Sequence, residues 1–287
     1  MAADQLTQGV RHQLSLGNLL PLGGAGDGAW LTESAAVSVL RTAAARTVPE
    51  VRLEGVRLRP ADPAEAAAPS VPAPPSALPP GTLRIEADFA ATADAPLNTT
   101  ADRLRTALLT AADERLGLDV AWADLRVTDL LDGPAAPVDG GPDGVPDGSA
   151  PGTRSAPGTQ EHVTHGPDEH PPAPADHPRA TATAETVIAV PGVTRLAPVL
   201  GPLLGGRRTD AVSVTDVEDG SGVRSRHLQI QIGVDEQARA LDVALAVREA
   251  AAKAAAWDAP EPAPPVTVAV VVTAVDPAIG SGGVRTA

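Results

Sequence analysis

The stretch AVPGVTRLAPVL, residues 189–200, sets apolar runs on either side of a Pro-Gly break. Pro191 biases the residue before it away from the helical region and Gly192 turns freely, so a helix should end there and a strand begin. Upstream, TVPEVRLEGVRL at residues 47–58 repeats the Val-Pro-x-Val core and again carries an apolar run after it. Two such junctions in one chain predict two related units.

Working outward from the first junction, TESAAVSVLRTAAART (residues 32–47) suits a helix. Thr32 is a fair N-cap, Ala36, Val37, Leu40, Ala44 and Val48 share one face, and Pro49 ends the run. Val51 and Leu53 alternate, then Val56 and Leu58 alternate in the opposite phase, and that shift at Gly55 predicts a β-bulge. LRIEADFA alternates cleanly at Leu83, Ile85, Ala87 and Phe89 and reads as a strand with one buried face. A helix follows over residues 98–117, with Asn98 or Thr99 as cap, Leu104, Leu108 and Ala111 inward and Gly117 as stop. DVAWADLRVTDL (residues 119–130) closes the unit as a strand.

The second half repeats that order. HLQIQIGV (residues 227–234) alternates at Leu228, Ile230, Ile232 and Val234, DEQARALDVALAVREAAAKAAAW is a helix capped by Asp235, and VTVAVVVTAVD (residues 266–276) is the last strand. Leu83 and Leu228 stand 145 residues apart, as do Thr128 and Thr273. A shared offset at two distant points argues for duplication.

Between Gly133 and Pro178 the chain is crowded with Pro, Gly, Asp and His and nearly free of large apolar residues, so it cannot bury enough surface to offset ordering and should be a disordered linker. A shorter Pro-rich segment, residues 60–81, should be an extended, mobile loop. Near the N-terminus Leu6, Val10 and Leu14 stand four apart and predict a short amphipathic helix over residues 4–16, which docks on its own domain or serves as a partner-binding or membrane-surface anchor. The expected fold class is α+β: two tandem small αββαβ sandwich domains, each a three- to four-stranded sheet with two helices on one face. The expected boundaries are an N-terminal amphipathic segment at 1–24, a first domain at 25–132, the linker at 133–178, a second domain at 179–277 and a flexible tail at 278–287.

Composition narrows the function. With one Phe, three Trp and no Tyr among 287 residues, the cores must be built from Val, Leu, Ile and Ala. Lys253 is the sole lysine beside many arginines, which fits the codon bias of a GC-rich bacterial genome. A net charge of −14 opposes the phosphate neutralisation that nucleic-acid binding requires. The absence of Cys excludes disulfides, thiolate nucleophiles and Cys-ligated metals. No run is long and apolar enough for a transmembrane helix, and the N-terminus lacks the pattern of a signal peptide.

A helix bearing Val37, Leu40, Ala44 and Ala45, then VPEV (residues 48–51), paired strands, a long helix and a Val-rich final strand resembles the alkaline-shock-protein family of bacteria, also called the envelope stress response family. In that family the helix typically ends in Val-Pro-Gly-Val. Residues 190–193 keep that motif whole, while the first copy has Glu50 in place of Gly. The segment before Val190, ATATAETVIA, is only weakly periodic, and the proline loop and His-rich linker are not family features. The resemblance covers about two thirds of the chain. It implies a non-enzymatic, cytoplasmic protein, often tethered at the inner face of the membrane by a partner and linked to envelope stress, with no catalytic residues to carry over.

The candidate sites are few. His162, His165, His170 and His177, interspersed with acids, have ligand types that suit zinc or nickel, but a Pro/Gly linker supplies no second shell to fix their geometry. DVEDGSG (residues 216–222) reads as a hairpin turn, lacking the spacing of a calcium loop. LLGGRR (residues 203–208) is a mobile turn and no phosphate loop. His227 begins a strand without a visible nucleophile beside it, and His12 lies on the N-terminal helix. Asp124, Asp129, Asp242 and Glu249 fit solvated positions, and Trp122 and Trp257 fit core or core-edge packing. No catalytic residue and no cofactor is expected. The expected function is a non-enzymatic cytoplasmic scaffold or stress-related protein acting through protein contacts, with a partner, membrane-anchored or not, or through self-association. The alternative is a small-molecule- or metal-responsive binding module.

Overall fold

The computed structural model describes residues 17–132, 178–198, 211–218, 224–257 and 265–277. The protein is α+β, with mixed sheets and, among the described residues, four α-helices. The first part runs β1 (Leu19–Leu22), β2 (Ala29–Thr32), α1 (Glu33–Thr47), β3 (Val51–Pro60), β4 (Leu83–Thr92), α2 (Leu97–Ala111) and β5 (Val120–Leu131). The second runs α3 (Pro178–Ile188), β6 (Val193–Leu196), β7 (Val212–Glu218), β8 (Arg224–Asp235), α4 (Ala240–Trp257) and β9 (Val266–Asp276).

Local chemistry sets these elements. Thr32 is extended and accepts a hydrogen bond from the Ala35 N–H, which starts α1. Pro49 stops it one residue after Val48. In β3 the register against β4 slips between Leu53 and Val56, so a bulge around Gly55 keeps Val51, Leu53, Val56 and Leu58 all on the buried face. α2 widens into a π-helical turn over residues 112–116 and ends at Gly117, whose φ of 81° is left-handed. Its start departs from expectation: Pro96 occupies the N-cap with no side-chain bond, and Asn98 Oδ1 accepts from the Thr99 N–H within the first turn. α4 starts at Ala240 and not at Asp235, because Asp235 ends β8 and its carboxylate holds the Gln237 N–H in a turn at 2.7 Å.

β3, β4 and β5 form a three-stranded sheet, antiparallel then parallel. The other sheet is larger than the three to four strands expected: six strands in the order β1-β2-β9-β8-β6, with β7 also paired to β8. The extra strands come from residues 19–32, placed by sequence across the end of an N-terminal segment and the start of the first unit; β2 instead runs parallel to β9, with Trp30 opposite Val271. The reason lies in β9, where Val268 through Val272 are all buried; a strand buried on both faces reads as a continuous apolar run and sits inside a sheet.

The inward faces of both sheets and their helices merge in one hydrophobic core, containing Leu40, Ile85, Phe89, Leu104, Ile230, Val247 and Val270. α1 packs on β3 of one sheet and on β9 of the other. The two halves therefore meet on the helix side of their sheets. The Pro-rich segment 60–81, expected to be mobile, lies along β1: Leu19 N–H donates to the Ser76 carbonyl and Leu78 N–H to that of Leu19. Val71 and Ala77 close a small second core over Leu19, Trp30, Ala269 and Val271. Proline is tolerated there because the segment lies at the sheet's border, where not every N–H is needed. The linker expected over 133–178 lies outside the described residues apart from Pro178, which opens α3; the segment 4–16 and the tail 278–287 lie outside them too.

Candidate functional site

Side by side, α1 and α2 bury Leu40, Ala44, Leu104 and Leu108 and leave an open groove between their outer surfaces. Its floor is Val39, Ala43, Ala107 and Ala111 and its walls are Ser38, Thr42, Thr106 and Thr110, so every lining side chain on this stretch is small. The helices' spacing of small residues at i, i+3 and i+4 produces the floor. The volume is about 1010 Å³, at the top of the range of pockets that enclose small molecules, and the groove is open to solvent. Charged side chains also line it, and several are engaged. Arg103 pairs with Glu50 and also reaches the Thr47 carbonyl at 3.3 Å. Arg46 lies 3.6 Å from Glu236 Oε2, and Arg115 donates to the Glu236 carbonyl at 2.6 Å. Such a trough of methyl and hydroxyl groups suits a helix or an extended peptide better than a charged metabolite.

A second hollow of about 660 Å³ lies where the halves join, lined by Gly23, Asp113, Glu114, Gly117, Arg239 and Leu241. Gly117 is required there twice over: its φ is left-handed, and a Cβ would run into the Leu241 side chain. Arg239 closes the junction by donating to the Asp113 carbonyl and carboxylate, both at 3.0 Å.

The third feature is β5. Trp122, Val127 and Leu130 are three of the five large apolar side chains that the described residues expose, and Trp122, expected in or beside the core, is 41% exposed. The correction has a simple cause: Ala123, not Trp122, faces the helices, so the ring falls on the outer face, where its Nε1 donates to Asp124 Oδ2 at 3.0 Å.

The remaining sequence candidates separate. His227 lies inside β8, which begins at Arg224, and is buried; its Nδ1 is 2.9 Å from Thr267 Oγ1, and burial holds its pKa below the ordinary histidine value. Its cross-strand neighbours are Thr215 and Thr267, and among the described residues no carboxylate hydrogen-bonds to it. Asp129 Oδ1 accepts from the Leu130 N–H, Asp242 lies 3.5 Å from Arg239, and Glu249 pairs with Lys253 at 2.6 Å, all at exposed positions. Glu249 is thereby held below its ordinary pKa. β7 and β8 pair from Val212 to Glu218 as a hairpin would, and the turn itself lies outside the described residues. So do His12, His162, His165, His170, His177 and residues 203–208. Trp257 ends α4. Among the described residues no group of His, Asp and Glu could hold a metal ion, and no helix there is long and apolar enough to cross a membrane.

Sequence reasoning missed three residues. Glu33, buried at the start of α1, accepts from the Leu58 N–H at 3.1 Å and the Asn18 N–H at 3.2 Å, tying β3 to the lead-in of β1. Gln229 is 1% exposed, and among the described residues neither amide atom has a partner; the His227 Nε2 and Trp30 Nε1 are also buried without one there. Arg105 of α2 donates to the Ala123 carbonyl of β5 at 3.2 Å. A glutamate after a helix cap was a visible signal for the first; nothing local announced the others.

The chain matches no known protein family, no curated protein and no solved structure.

Proposed function

We propose that this is a non-enzymatic protein that acts through protein–protein contacts, a scaffold or stress-related component of the cytoplasm that a partner can hold at the inner face of the cell envelope. The open, small-residue groove between α1 and α2 carries this reading, since it is shaped for a peptide or helix and brings no nucleophile, base and acid together. The finer architecture belongs with it: two tandem αββαβ units of alkaline-shock-protein type. Its support is the similar order in each half, a helix, antiparallel strands (two in the first, three in the second), a helix and a final strand, with β5 and β9 each parallel to the strand before it.

A photo-crosslinking side chain placed at Thr106, in the groove, and at Glu86, on the wet sheet face, tests the reading in cells. Adducts with one discrete protein from Thr106 alone, abolished when Thr42→Trp fills the groove, support it; equal or absent adducts from both sites contradict it. The hollow at the junction favours the alternative, a small-molecule-responsive module. A ligand that stabilises the wild type but not Leu241→Ala in thermal unfolding would move the assignment there.

A further inference from the structure

We infer that β5 is a self-association edge, on which a second copy of this chain adds its own β5 antiparallel about a two-fold axis at Leu125. The inference goes beyond the groove and does not depend on it. β5 is a twelve-residue strand that, among the described residues, has β4 on one side and no strand on the other. Its counterpart in position, β9, has that second side filled by β2.

The main chain of β5 fixes which residues a partner strand would meet. In parallel pairing the backbone groups of alternate residues turn toward the neighbour. The Ala123 carbonyl, which accepts from Arg105, and the Leu130 N–H, which donates to Asp129, mark the side away from β4, and Leu125 and Val127 share that side. An antiparallel partner centred on Leu125 places Ala123 opposite the other copy's Val127, and Leu125 opposite itself, as hydrogen-bonded pairs. On the outer face the same register sets Asp124 of each copy opposite Arg126 of the other. Opposite charges directly across a pair stabilise it and like charges oppose it.

The strand is therefore complementary to itself and to a two-fold copy, which an isologous dimer requires. Arg126 is available for this contact: it makes no ion pair or hydrogen bond among the described residues. Asp124 spends one oxygen on Trp122 and keeps the other. Pairing would also cover Val127, which stands open at 39%. Arg105 at one end and the Asp129 cap at the other limit the pairing to a short central run. An interface this small falls at the weak end of protein association.

Sedimentation of the full chain across concentrations up to on the order of 100 μM decides the matter, a range suited to weak association. The expected result is a dimer for wild type, monomers for Asp124→Arg and for Arg126→Asp at the same concentration, and a restored dimer for the double exchange. An equimolar mixture of the two single variants should form a heterodimer, because one then presents two arginines to the other's two aspartates. A wild type that stays monomeric overturns the inference. So do single variants, folded by circular dichroism, that dimerise as wild type does, and a mixture that stays monomeric.

Discussion

The two sheets share a pattern and differ in what became of it. In the three-stranded sheet the outer face is a solvated ladder, with Arg52 paired to Glu54, Arg84 to Glu86 and Thr128 bonded to Glu54. In the six-stranded sheet the corresponding face is buried: Trp30 is 1% exposed beneath Val71, and Gln229 and Gln231 are buried as well. The edge tells the same story, since β9 lies inside its sheet and β5 lies at a border. Alternation along a strand specifies which residues face the helices. It does not specify whether the opposite face will be wet, because that depends on segments distant in sequence.

The contrast can be broken most sharply at the two tryptophans. Trp30→Ala should cost about 3–5 kcal/mol, the range for emptying a packed aromatic site, whereas Trp122→Ala should stay within about 1 kcal/mol. Urea unfolding of the two variants measures both; similar losses would mean that the two outer faces are alike. Next in size is Glu33→Ala, which leaves the buried Leu58 N–H and the half-buried Asn18 N–H without their acceptor and should cost about 2–3 kcal/mol, while Glu33→Gln keeps one acceptor oxygen and should lose less. Because Glu33 joins the lead-in of β1 to β3, both sheets should loosen together in hydrogen exchange.

Gly117→Ala tests the junction. It forces a side chain into a left-handed turn and against Leu241, and should cost about 1–2 kcal/mol in thermal unfolding. Gln229→Met has the opposite sign, since an apolar side chain of like shape removes an unpaired buried amide; it should be neutral or stabilise by about 1 kcal/mol. The smallest effect is the pH response of His227. Its folded pKa lies below the ordinary value near 6.5, so the unfolded chain takes up the proton first and stability falls as pH drops below about 7. His227→Gln should flatten that slope in a pH series of denaturation midpoints.

Asp276 acts in a lower window. Burial works against its charge, but hydrogen bonds from Arg195 and Thr194, with the Arg195 charge, hold its pKa below the usual aspartate value. Its contribution is present above about pH 4 and is lost as pH falls through the depressed pKa.

Much of the architecture could be read from local signals. The Thr32 cap, the phase change at Gly55, the αL stop at Gly117 and the bounds of β9 each follow from a few neighbouring residues. What stayed hidden is non-local. The pairing of Trp30 with Val271 spans most of the chain, and the docking of Val71 depends on a surface that forms only after β1 and β2 have joined β9. The groove was equally invisible, because its floor is built from alanines of two helices whose packing no single helix announces. The start of α4 was misread because Asp235 is a good cap by type, yet here it ends a strand.

The most direct measurement is amide hydrogen exchange of β5 and β9 followed as protein concentration rises. The account predicts β9 amides protected at every concentration, and Leu125 and Val127 amides that exchange freely in dilute protein and slow as copies pair. Equal protection of β5 and β9 in dilute solution, or β5 exchange indifferent to concentration, would contradict it.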